Sequence, residues 1–227
     1  MLRAVIFDFN GIIVDDEPIH LGLFQRVLGE EGITLTEAEY YARYLGFDDR
    51  GAFTAAYRQH GKSLGQPKLD ELISRKAAYY REDIKTKIRV FHGVEKLVPD
   101  LARELPLAIA SGALRNEIQM ILSSIGLLNE FRAIVSAEDV IRGKPEPEIF
   151  LKALAQLNTS RDGAPNISAS ECLVIEDSKE GIRGARRAGM KCLAVTNSHP
   201  PELLAEADSI LDSLEGVSLS QLQAMWS

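Results

Sequence analysis

The sequence predicts a doubly wound parallel α/β sheet with a helical insertion, on three observations. Short runs of four to six residues, apolar on both faces, recur along the chain and end in polar or Gly-containing turns. Buried strands of a parallel sheet read this way. Helical stretches separate the later runs, and alternating strand and helix winds a sheet with helices on both faces. One long segment, residues 16–85, breaks the alternation.

The first run, residues 2–8, is apolar and ends in Asp8. Residues 16–85 hold almost no strand-like run but much helical spacing, as in Leu21, Phe24, Val27 and Leu28, or Leu69, Leu72 and Ile73. Lying between the first and second strands, this segment reads as a helical cap over the strand ends. The core is then residues 1–15 and 86–227. Strand-like runs resume at Leu105–Ala110, Ala133–Ser136, Cys172–Glu176, Cys192–Val195 and Ser209–Leu211, with helices expected at about 113–124, 146–156 and 178–188. Residues 157–169 are rich in turn formers and read mostly as a surface loop. Trp226 is expected to pack on the core.

Composition narrows the partners. The 227 residues are 45% hydrophobic and 26% charged, ordinary for a soluble globular chain. The net charge of −7 provides no basic footprint for nucleic acid or an anionic membrane, though it leaves room for a locally positive phosphate pocket. No apolar run approaches a membrane span, and the chain enters a strand at once, with no leader; a cytoplasmic setting is expected. Cys172 and Cys192 lie in apolar runs and read as buried small hydrophobes, with no disulfide or zinc pattern.

Four polar features follow predicted strands: Asp8-Phe9-Asn10-Gly11, Ser111-Gly112, Lys144-Pro145 and Glu176-Asp177. Singly they have plain readings: a turn acid, a helix cap at Ser111, a solvated Lys144, a cap at Asp177 with Ser178 as competitor. A doubly wound sheet gathers all four at the carboxyl ends of its strands. There a carboxylate can attack phosphorus. Asp8 and Asp177 can supply the oxygens Mg²⁺ prefers, and Lys144 can neutralise phosphoryl charge. Ser111 offers a hydroxyl, ahead of a helix start suited to an anion.

Residues 7–20, Ala110-Ser111-Gly112, the stretch Gly143 to Phe150, the stretch Ile175 to Ile182 and the later Ala188-Gly189-Met190 resemble, in order, the motifs of capped haloacid dehalogenase-like hydrolases. The resemblance spans nearly the whole chain. It implies a Rossmann-like core with a helical cap, bound Mg²⁺ and a small phosphorylated metabolite as substrate. It also implies Asp8 as nucleophile, and a metal held by Asp8, the backbone carbonyl of Asn10 and Asp177, with Glu176 as a further ligand or an acid behind the ligands. Ser111, Gly112 and Lys144 would bind the phosphoryl group.

One position departs from that pattern. Family phosphatases carry Asp two residues after the nucleophile, where it protonates the leaving group and then deprotonates water. Here it is Asn10, and an amide does neither. Loss of a general acid/base costs about 10²–10⁴-fold. The chain is a variant that traps a complex, or a weak phosphatase or phosphate binder, or it uses another acid such as Asp15, Asp16 or His20. The plainer reading of Asp15 and Asp16 is a solvated or hinge turn, and of His20 a hinge hydrogen bond rather than a substrate contact. Dehalogenases also lack the second acid, but the resemblance implies that they would not keep a Glu176-Asp177 pair. Phosphonate-cleaving relatives use a cap lysine as a Schiff base; Lys62 and Lys76 are candidates, each otherwise an exposed lysine.

Leu45 to Arg50 resembles the cap loop that sets specificity. Arg50 would grip a second anionic group of the substrate or pair with Asp48 or Asp49. Sugar-phosphate mutases such as β-phosphoglucomutase have Arg in this loop, where the nearest alignment puts Asp49. Arg75 and Lys76 read as a solvated helix face, and Tyr40, Tyr41 and Tyr44 as a packing stripe. The function expected is thus a slow Mg²⁺-dependent phosphatase, with a mutase or a catalytically silent phosphometabolite-binding protein as alternatives.

Overall fold

The structure, a computed structural model, describes residues 1–45, 47–159 and 165–225, apart from the side chains of residues 85 and 86. β1 (Ala4–Phe7) is buried along its whole length. A turn leads to β2 (Val14–Asp15), then to α1 (Glu17–Glu30), α2 (Glu37–Arg43), α3 (Asp49–Gln59) and α4 (Gln66–Lys87). β3 (Arg89–Val90) returns antiparallel to β2. The chain continues through α5 (Val94–Ala102), β4 (Leu107–Ala110), α6 (Arg115–Ser124), β5 (Phe131–Val135) and α7 (Glu148–Thr159). It ends with β6 (Cys172–Glu176), α8 (Lys179–Arg187), β7 (Lys191–Val195), β8 (Ser209–Leu211) and α9 (Leu219–Ala224). Two units result: Met1–Asp15 with Arg89–Ser227, and Asp16–Ile88. The second crossing falls after residue 88 rather than at 85 because α4 runs unbroken to Lys87.

In the first unit six parallel strands lie in the order β5-β4-β1-β6-β7-β8. β1 is central, and the sheet grows from it in both directions, which makes its carboxyl end the topological switch point. One face of the sheet (Ile6, Ala108, Val174, Cys192) meets Phe150, Ala153 and Leu157 of α7 and Ile182 and Ala185 of α8. The two helices press closely: a Cβ on Gly184 would stand 2.9 Å from the Phe150 ring. Both cysteines are buried and free.

Two expectations change here. α5 was not foreseen, since Pro99 lies inside it, yet Val94, Leu97, Val98 and Leu101 bury one face. α7 runs to Thr159, into the stretch read as a loop, because Ala153, Leu154 and Leu157 continue its buried stripe. The middle of that loop and Trp226 lie outside the described residues.

The second unit is helical, with α4 packed on α1 and α3. Its core holds Phe24, Val27, Leu28, Phe53, Tyr57 and Leu72, with Tyr40 and Tyr44 buried among them; Tyr41 is exposed. Thr36 and Asp48 cap α2 and α3 through the amides of Glu39 and Gly51. Lys76 is not an exposed lysine: it is 1% exposed. Its Nζ lies 2.6 Å from Asp49 Oδ1, donates to His20 Nδ1 at 2.8 Å, and sits 4.3 Å over the Phe24 ring. An ammonium only donates, so Nδ1 accepts and His20 Nε2 carries the proton toward Asp16 Oδ2, 3.1 Å away. The Tyr80 hydroxyl donates to the same oxygen at 2.9 Å. Asp16 is therefore buried rather than solvated. A buried ammonium is tolerable only when paired like this. Arg75 bridges Glu30, Glu31 and Glu71, and Lys62 donates to the Glu31 carbonyl at 2.6 Å. No helix among the described residues is long and apolar enough to cross a membrane.

Phe150→Ala is expected to cost about 3–5 kcal/mol in urea unfolding. Burial alone would raise the Asp16 carboxyl, but the hydrogen bonds from the His20 ring and the Tyr80 hydroxyl hold it below its ordinary value of 3.8. A depressed carboxyl stabilises the fold above its unfolded value and loses that contribution as pH falls through the folded one. Asp16→Asn should thus destabilise the chain at pH 7, and its difference from the parent should shrink below pH 3.8.

Candidate active site

Residues that leave the strands meet at the carboxyl edge of the sheet. The Asp8 amide donates to the Ile175 carbonyl at 2.9 Å, so the pairing of β1 with β6 runs one residue past the strand. The chain then doubles back, with the amides of Ile12, Ile13 and Val14 converging on the Phe9 carbonyl. Gly11 takes φ +80°. A Cβ there would fall inside the Asp177 carboxylate, so the turn needs glycine for its conformation and for its space.

Asp8, Glu176 and Asp177 are buried, and each offers a carboxylate oxygen within 4.8 Å of the others. Lys144 Nζ lies 2.8 Å from Asp8 Oδ1 and 2.6 Å from Glu176 Oε1, so Lys144 is not a solvated surface lysine. Glu176 Oε2 accepts from the amides of Asp177 and Ser178, at 3.0 and 2.9 Å, and from the Ser178 hydroxyl at 2.8 Å. Ser178, not Asp177, caps α8, its Oγ taking the Gly181 amide. Ser111 ends β4 beside β1 and is buried. Its Oγ accepts from the Ala113 amide at 3.1 Å. α6 opens only at Arg115, with Leu114 at its cap; Ser111 lies too early in the chain to cap it. Gly112 is exposed, with nothing within 4 Å of where a Cβ would stand.

Charge is unbalanced here. Burial drives the Asp8 carboxyl well above its usual range, Lys144 opposing and Glu176 adding. Burial, then repulsion from Glu176 and Asp8, does the same to Asp177. Against the cost of burial, Asp8 and Glu176 hold the Lys144 ammonium above its usual value. Three carboxylates around one ammonium, all oxygen donors, fit a hard divalent cation such as Mg²⁺. Glu176 has both oxygens engaged, which leaves Asp8 and Asp177 the better placed to face an ion. The amide oxygen of Asn10 is buried in the same turn.

Two residues that sequence reasoning did not single out belong to this edge. Asn197 Nδ2 donates to the Gly11 carbonyl at 2.7 Å, and the Ser198 hydroxyl donates to Asp177 Oδ2. Their signal was the one used for the others, a polar run just after a strand, here β7. His20 and Arg50 belong to the helical unit. His20 sits in the Lys76 cluster. Arg50 pairs at 3.2 Å with Asp70, both exposed, and not with Asp48 or Asp49, because Asp48 is spent on the α3 cap and Asp49 on Lys76.

Known proteins resemble this chain in sequence and fold. The profile of the haloacid dehalogenase-like hydrolases matches residues 5–195. A Bacillus subtilis protein named as a phosphatase, YhcW, is 33% identical over 98% of this chain and 96% of its own. The validoxylamine A 7'-phosphate phosphatase of Streptomyces hygroscopicus subsp. limoneus is 29% identical over 96% of each chain. The β-phosphoglucomutase of Clostridium difficile shares the fold, with a TM-score of 0.77, 22% identity and coverage of 100% of this chain and 97% of that one. With a parallel sheet whose central strand leads into Asp8, whose adjacent β6 ends at Glu176 and leads into Asp177, and with Lys144 supplied by the segment between β5 and α7, the chain belongs to the haloacid dehalogenase-like hydrolase family, among its phosphatases and β-phosphoglucomutase-like members.

Proposed function

We propose that this chain is a Mg²⁺-dependent phosphatase of a small phosphorylated metabolite, working through an aspartyl-phosphate on Asp8 and slowed by Asn10. The observation that supports it most is the buried cluster of Asp8, Lys144, Glu176 and Asp177 at the end of the central strand. The named phosphatases among its relatives support a phosphoric monoester hydrolase.

In this reading an Asp8 oxygen attacks phosphorus, the P–O ester bond breaks, and its electron pair leaves on the alcohol oxygen. Lys144, held between Asp8 and Glu176, stabilises charge on the phosphoryl oxygens. Ser111 and Gly112, after β4, bind the same group. Bound Mg²⁺, held by Asp8, Asp177 and the Asn10 carbonyl, would supply charge neutralisation and in-line positioning. Water then attacks this phosphorus, the P–O bond to Asp8 breaks with its electron pair returning to the Asp8 carboxylate, and phosphate leaves. Both steps need a proton moved at the position of Asn10, which has none to give and no base to take one. His20 and Arg50 are the substrate contacts proposed from the helical unit.

The silent phosphometabolite binder is the second reading, favoured by the same Asn10, since the binding groups remain while the acid is gone. The mutase reading is weaker: Asp49 stands where mutases of the family carry Arg, and it is paired with Lys76.

Phosphate release from a panel of esters, with Mg²⁺ and with chelator, tests this. Asn10→Asp should raise release by about 10²-fold or more, with a larger gain on alkyl than on aryl esters, because a poor leaving group needs the acid most. A parent as fast as Asn10→Asp would mean that another residue moves the proton. Chelator, or Asp8→Asn, should reduce release by the Asn10→Asp chain to background. If both chains bind phosphate with Mg²⁺ and release none, the binder reading stands instead.

A further inference from the structure

We propose that Asn197 and Ser198, in the loop after β7, are positioning residues that fix the nucleophile turn and the Asp177 carboxylate in the geometry a divalent cation requires. The proposal rests on the reading of Asp8 and Asp177 as metal ligands.

The placement follows from strand register. β6 and β7 are parallel, with Glu176 opposite Ala194, so the residues just past β7 run beside Asp177 as it leaves β6. This loop is tied down from its far side: the Thr196 amide donates to the Leu211 carbonyl at 3.0 Å, and the Thr196 hydroxyl to Asp212 at 3.3 Å. On the near side its next two side chains reach back in different directions. Asn197 Nδ2 holds the Gly11 carbonyl, one peptide beyond the Asn10 carbonyl. The Ser198 hydroxyl holds Asp177 Oδ2.

Gly11 shows how close the held parts are. A Cβ on it would overlap the Asp177 carboxylate and stand 2.9 Å from Ser198 Oγ. The turn, the carboxylate and the loop are therefore packed to the limit that glycine allows. The Asp177 carboxylate is buried and repelled by Glu176 and Asp8, so without a donor on Oδ2 it would rotate away from the other two. The Ser198 hydroxyl supplies that donor, and Asn197 stops the turn from shifting in response. Groups that orient a metal's ligands are typically worth about 10–100-fold in affinity.

The test is Mn²⁺ binding followed by electron paramagnetic resonance, with Mg²⁺ competition, on the full chain without substrate. Thermal unfolding in chelator is run beside it. Ser198→Ala should weaken Mn²⁺ and Mg²⁺ binding by about tenfold or more, leave the unfolding midpoint in chelator near that of the parent, and be rescued by Ser198→Thr, which keeps the hydroxyl. Asn197→Ala should weaken binding as well. Asp177→Asn is the control for the underlying reading. If the parent binds the ions, Asp177→Asn abolishes this and Ser198→Ala binds as the parent does, the proposal fails while the metal site stands. If Ser198→Ala loses affinity only together with its stability in chelator, and threonine does not restore it, the role is structural and the proposal fails. If the parent binds neither ion, or Asp177→Asn binds as well as the parent, the metal-site reading and this proposal fail together.

Discussion

Repulsion among three buried carboxylates is the constraint around which the sheet edge is organised. Two like charges 4.8 Å apart repel by about 3.5 kcal/mol at an effective dielectric near 20, and Asp8, Glu176 and Asp177 make three such pairs. The fold answers with fixed donors. Lys144 is wedged between two of the acids. The turn into α8 offers Glu176 Oε2 two amides and a hydroxyl, where the helix N-terminus also favours negative charge. What stays uncompensated lies on Asp8 and Asp177, the two carboxyls that burial and repulsion from Glu176 push upward. A site left short of positive charge on those two oxygen-bearing groups is suited to a divalent cation and to a phosphoryl group that arrives with it.

The same crowding dictates backbone choices that look unrelated to chemistry. Gly11 is needed because Asp177 occupies the space of its side chain, and Gly181, in the first turn of α8, because Glu176 does. The acids are thus gripped by backbone on several sides, which limits how far they can relax from one another. The helical unit meets its own version of the problem with a lysine. Lys76 carries its charge into an apolar core and is matched there by Asp49 and His20, with Asp16 and Tyr80 behind them. One buried polar chain thereby joins α1, α3 and α4.

How much of this could be read from sequence depends on whether the contact is local. The strands were legible because apolar runs announce them. The site was legible in outline because strand ends turn an order along the chain into a cluster in space: Asp8, Ser111 and Asp177 needed only the sheet, whereas Lys144 follows no strand directly and reaches the cluster from the segment between β5 and α7. Lys76 was misread because its partners lie 27 and 56 residues away, and helical spacing alone counts a lysine as surface. Arg50 paired with Asp70, 20 residues on, rather than with the acids beside it, since a cap and a buried ammonium had claimed those. Asn197 reaches Gly11 across 186 residues. α5 was hidden by Pro99, an interior proline that its buried face outweighs.

Asn10 fits the electrostatic constraint, while in the proposed mechanism it removes the proton donor. A fourth carboxylate beside three would deepen the repulsion, and an amide of almost the same shape avoids it. The backbone carbonyl of residue 10 is unchanged by the identity of its side chain. Under the proposed mechanism the loss falls on proton transfer. Lys144 is bound to two carboxylates and held charged, and Glu176 has donors on both oxygens, so neither is placed to exchange a proton in place of the missing acid. An amide at position 10 would then separate holding a phosphoryl group from turning it over, with less charge strain than aspartate would bring.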